Sequence, residues 1–106
     1  MDAELKTKWI TALRSGEFKQ GDTFLRNGEK HCCLGVLCVV SGIGISADGT
    51  GPGNREDDGY GPIFELIGSA SIGSRLYGMN DSGRTFAEIA DWIEKNVPAP
   101  SLPQEE

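Results

Sequence analysis

Four side chains capable of nucleophilic or metal chemistry fall close together: His31, Cys32, Cys33 and Cys38, the only histidine and all three cysteines of the chain. Structural zinc asks for two spaced ligand pairs. Here two cysteines are adjacent and point in different directions, and no second pair exists. A cysteine at a helix N-terminus can ionise and act as a nucleophile. His31 would have to address Cys32, however, and neighbours on a strand face opposite ways. The four residues therefore read as structural, with the thiols as small buried hydrophobes. A cysteine-dependent enzyme stands as the third functional class.

Two further stretches could hold a ligand. Between Ser41 and Gly61 lie seven glycines with Arg55, Glu56, Asp57, Asp58 and Tyr60. Neither phosphate-cradling glycine pattern is present there. Arg55 and Arg84 could fork onto a small anion, with Tyr60 and Tyr77 as aromatic neighbours, which makes a binder of a small signalling nucleotide the second class. Asn80-Asp81-Ser82-Gly83 lacks calcium-loop spacing and reads as a turn leading into a helix cap. No cofactor or metal is expected. Near the C-terminus, Trp92 lies at the margin of an apolar stripe, next to the side that carries Glu88 and Lys95, where it either completes the edge of the core or stands partly exposed. An aromatic in an acidic setting has the composition of a binding hot spot. Glu56, Asp57, Asp58, Tyr60, Glu88, Asp91 and Trp92 are the candidate partner-binding residues.

The elements that would position these groups make an α+β domain over residues 1–97. Leu5, Trp9 and Leu13 recur every four residues with Ala12, so 2–15 reads as an amphipathic helix ended by Gly16. Asn27-Gly28 is a strong two-residue hairpin signal. It predicts strands 23–26 and 29–32, placing Arg26 opposite Glu29, Phe24 opposite His31 and Thr23 opposite Cys32. Cys33 to Ser41 reads as a short buried helix stopped by Gly42, with Gly35 permitting close packing. The Gly-rich stretch 42–61 is a long loop, expected to be mobile when free. Pro62 to Ile67 is a short element, Ser69 to Ser74 a second loop, and Arg75 to Tyr77 a short strand or helical turn. Thr85-x-x-Glu88 is a capping box. It opens a last helix whose stripe is Phe86, Ile89, Ala90, Ile93 and Val97, expected to pack on the hairpin layer. Residues 98–106, with three prolines and two terminal glutamates, read as a disordered tail.

The bulk numbers bound the partners. With 106 residues and 38% hydrophobic content the chain can bury one core. A net charge of -6 argues against direct nucleic-acid binding. It permits docking on a basic groove that ordinarily holds nucleic acid. No apolar run is long enough to span a bilayer, no export signal is evident, and the odd cysteine count fits a reducing cytoplasm.

Three blocks carry a resemblance. They are Lys8-Trp9-Ile10-Thr11-Ala12-Leu13-Arg14-Ser15-Gly16 with Lys19-Gln20-Gly21, then Cys32-Cys33-Leu34-Gly35-Val36-Leu37-Cys38, then Asn80-Asp81-Ser82-Gly83-Arg84-Thr85-Phe86-Ala87-Glu88-Ile89-Ala90 with Ile93-Glu94. In order and spacing the chain resembles small uncharacterised proteins encoded by bacteriophages and prophages. The resemblance implies a setting inside an infected bacterium. There, small acidic accessory proteins inhibit host defence systems, CRISPR effectors among them. It transfers no catalytic residue.

Overall fold

The computed structural model describes residues 1–21, 24–46, 49, 51 and 61–97. Its elements run α1 Ala3–Ser15, β1 Lys19–Gln20, β2 Arg26–Asn27, β3 Lys30–His31, α2 Cys33–Ser41, α3 Gly61–Ile67, α4 Ala70–Asp81 and α5 Phe86–Asn96. The architecture is α+β, with helices around a very small sheet.

α2 is the centre. Cys33 to Cys38 are all buried, as a helix with no polar face must be. Gly35 lets it lie directly on the chain preceding β2: a Cβ there would stand 2.0 Å from the Leu25 carbonyl oxygen. α1 packs on one side of α2, where the Trp9 indole donates to the Cys33 carbonyl at 2.9 Å in the core. Asp2 caps the start of α1 and Gly16 ends it in the left-handed region.

The sheet order is β1-β3-β2, with β1 parallel and β2 antiparallel to β3. The parallel strand β1 is absent from the sequence expectation, because two residues carry no periodicity. The hairpin forms in a different register from the one expected. Arg26 pairs with His31 and Asn27 with Lys30, so the turn is Gly28-Glu29. Gly28 takes φ +64, matching the two-residue turns that want glycine first. Tertiary burial outweighs the Asn-Gly preference: Leu25 is fully buried and its carbonyl accepts from the Cys32 amide at 3.1 Å. Phe24 is accordingly exposed rather than opposite His31. Glu29 approaches Lys19 at 3.7 Å instead of Arg26. Thr23 lies outside the described residues.

Residues 69–77 correct the expectation more sharply. The expected loop at 69–74 and the short strand or helical turn at 75–77 are one helix, α4, capped by Ser69, whose side chain accepts from the Ile72 amide. Gly73 hides the helical pattern because it exists for packing: a Cβ there would collide with the Phe64 ring of α3. Burial against a neighbour overrides weak intrinsic propensity.

α5 has the expected capping box, with Thr85 and Glu88 satisfying each other's amides, and the expected stripe is buried. It packs chiefly on α1, not on the hairpin layer. Lys6 reaches from α1 to the Glu94 and Val97 carbonyls at 3.2 and 2.8 Å, closing the last turn of α5. No described helix is long and apolar enough to cross a membrane. The expected tail at 98–106 lies outside the described residues.

Candidate functional site

The three sequence blocks meet at one buried side chain. Asn80, 2% exposed, occupies the end of α4. Its Oδ1 accepts from the Cys33 amide at 3.1 Å and from Gln20 Nε2 at 3.2 Å, and its Nδ2 donates to the Gly21 carbonyl at 2.7 Å. Gln20 in turn donates to the Arg84 carbonyl and accepts from the Phe86 amide at 3.0 Å. One asparagine and one glutamine thereby tie β1, the first turn of α2, the end of α4 and the start of α5. The expectation of a turn leading into a helix cap at 80–83 misses the buried role of Asn80, because an asparagine beside Asp-Ser-Gly has the composition of a turn.

A cleft of about 340 Å³ opens beside this junction, lined by Gln20, Gly21, Asn27, Lys30, Asn80 and Gly83. The register explains part of the lining. Lys19, Lys30 and Asn27 form one row across the sheet and are exposed, while Gln20, His31 and Arg26 form the next row and are half-buried.

The thiols are not poised for chemistry. All three are buried and free. Burial raises each, Cys33 well above the ordinary thiol range and Cys38 to about 12. Cys32 is the N-cap of α2, its sulfur accepting from the Gly35 amide at 3.4 Å, but burial outweighs that help. The lowered pKa entertained for a helix-terminal cysteine is therefore reversed. Among the described residues no cluster of three or more metal-ligating side chains occurs.

His31 packs edge-on against Phe18 at 5.1 Å, and its Nδ1 is buried with no hydrogen-bond partner among the described residues. Burial holds its pKa below the usual value and Arg26 adds to this, with the Glu29 backbone opposing only part. The folded state therefore favours the neutral imidazole, while the unfolded chain takes up a proton near the ordinary histidine value of about 6.5. Stability contributed here is full above that pH and is lost as pH falls through it toward the folded value. Urea unfolding at pH 7.5 and 5.5 should show a drop in stability that His31→Leu reduces. An unchanged slope in the variant would assign the dependence to other groups.

Of the candidate partner-binding residues, Glu56, Asp57, Asp58 and Tyr60 lie outside the described residues, as does Arg55. Glu88 is committed to its capping box and Asp91 to Arg14, at 2.6 Å, with Glu94 on the same guanidinium at 3.1 Å. Trp92 is half-buried and packs against the core. Tyr77 also packs there, and neither it nor Arg84 lines the cleft.

A family model described as a domain of unknown function (DUF8296) matches residues 1–42. No curated protein and no solved structure matches the chain. The matched stretch ends at Gly42, the residue that caps α2. It includes Gln20, Gly21, Asn27 and Lys30 of the cleft, while Asn80 and Gly83 come from outside it.

Proposed function

We propose that this chain is a non-catalytic accessory protein, encoded by a bacteriophage or prophage. In the cytoplasm of the bacterial host it inhibits a defence system by binding a host protein through an acidic surface. A CRISPR effector is one such target, since its nucleic-acid groove is basic.

The distribution of charge carries this reading. The chain has a net charge of -6, and three of its carboxylates stand in a row at Glu56, Asp57 and Asp58. Such a run would steer a basic partner.

Both flanks of the central acidic run are anchored. The Arg26 amide donates to the Gly49 carbonyl at 3.1 Å, Ser46 and Gly51 bond to each other, and α3 begins at Gly61. The acidic residues of α5, engaged as they are within the fold, contribute less. The partner surface is thus centred on Glu56, Asp57 and Asp58.

Tagged protein immobilised against host lysate should capture a partner whose affinity falls by about tenfold or more between 50 and 300 mM salt. The triple variant Glu56→Gln, Asp57→Asn, Asp58→Asn should lose it while remaining folded. Failure to capture anything, or equal capture by the triple variant, would overturn the proposal.

A further inference from the structure

We propose that the cleft between the sheet and the Ser82-Gly83 turn binds a small phosphate-bearing molecule of about mononucleotide size. Lys30 takes the phosphate, and the Asn27 and Asn80 amides read its hydrogen-bonding edge. This inference rests on the described body and is independent of the acidic segment.

Three observations converge on the same wall. The first is charge. Lys19 and Lys30 are direct partners across the parallel strands, and like charges so placed repel. Lys19 has Glu29 at 3.7 Å, but among the described residues no carboxylate lies within salt-bridge distance of Lys30. An anion in the cleft would relieve the repulsion and give Lys30 its counter-charge.

The second is the buried amide. Asn80 lines the cleft, and its Nδ2 makes one hydrogen bond, to Gly21. An asparagine nitrogen carries two donors. The second has no acceptor among the described residues, at a side chain only 2% exposed. A buried donor left unused is a standing penalty that a ligand oxygen would remove.

The third is space. Gly21 lies so close to the Lys30 stem that a Cβ would come to 2.7 Å of it, and Gly83 (φ +100) has nothing within 4 Å of where its own would be. Gly83 thus leaves open space at the rim of the cleft. At about 340 Å³ the cleft is at the lower end of the roughly 300–1,000 Å³ typical of ligand sites. Its predominantly polar lining suits a phosphate ester rather than an apolar compound.

The test is thermal shift and calorimetry on the full chain with three probes: inorganic phosphate, 5′-AMP and adenosine. The proposal expects 5′-AMP to raise Tm and bind most tightly, phosphate to bind more weakly, and adenosine weakest. Lys30→Ala should weaken 5′-AMP by tenfold or more with the unliganded Tm unchanged or slightly raised, because the repelling neighbour is gone. Asn27→Ala should weaken 5′-AMP while leaving phosphate unaffected. The absence of any shift up to about 10 mM 5′-AMP, equal binding of adenosine and 5′-AMP, or full binding by Lys30→Ala would each overturn it.

Discussion

Replacing Asn80 by leucine should destabilise the fold by about 3 kcal/mol or more, measured by urea unfolding. Leucine keeps the branching of the side chain but is bulkier, so some overpacking adds to the lost hydrogen bonding. Without the amide, the buried Cys33 N–H loses its acceptor, the Gly21 carbonyl loses its donor, and Gln20 keeps only part of its network. Each buried group left unpaired costs roughly 1–3 kcal/mol. Small domains have only about 5–15 kcal/mol to lose, so the variant should unfold at markedly lower urea with an unchanged slope. Asn80→Asp can still accept at Oδ1 but cannot donate to Gly21, and it brings a charge into a buried site. It should also be destabilising. A loss below 1 kcal/mol for Asn80→Leu would mean that water reaches the junction and the network is not the tie between the elements.

Two helical glycines, Gly35 buried and Gly78 exposed, should respond with opposite signs. Alanine exceeds glycine in helix propensity by about 1 kcal/mol, so propensity alone favours both Gly35→Ala in α2 and Gly78→Ala in α4. At Gly35 the new methyl would stand 2.0 Å from the Leu25 carbonyl oxygen and 2.8 Å from its carbon. That neighbour is backbone, and the Cys32 amide holds it by a hydrogen bond, so no rotamer change relieves the contact. Overpacking typically costs about 1–3 kcal/mol, and here α2 must also move relative to the core. We expect a net loss of at least about 2 kcal/mol for Gly35→Ala. At Gly78 nothing lies within 4 Å of the added carbon, and Gly78→Ala should stabilise by about 0.5–1 kcal/mol. Thermal and urea unfolding of the two variants side by side checks the contrast. Stabilisation in both would refute the close approach of α2 to the 24–27 segment.

The expected site and the observed one differ in kind. His31 and the cysteines are reactive types in a cluster, yet burial has made the cysteines part of the core and pushed their thiols away from ionisation, while His31 is half-buried in the sheet. The acidic face of α5 was legible as a row of carboxylates. Its engagement was not, because Arg14 is 77 residues from Asp91 in the chain. Asn80 and Gln20, the residues around which the site is built, stand in the blocks that carry the resemblance, but nothing there marks them as a buried network. An amide side chain in sequence says nothing of whether it will face water or a distant backbone.

What the sequence determined by itself was local: the first helix and its glycine stop, the capping box and stripe of α5, the buried helix from Cys33 to Gly42, and the α+β class. These depend on contacts within three or four residues, where periodicity and caps act directly. Only the tertiary structure decided the hairpin register, the parallel strand β1, the helix at 70–81 and the junction at Asn80. Each rests on a partner far along the chain: Leu25 against Gly35, Gly73 against Phe64, Gln20 and Gly21 against Asn80. Burial in such contacts outweighs the few tenths of a kcal/mol to about one that separate local preferences.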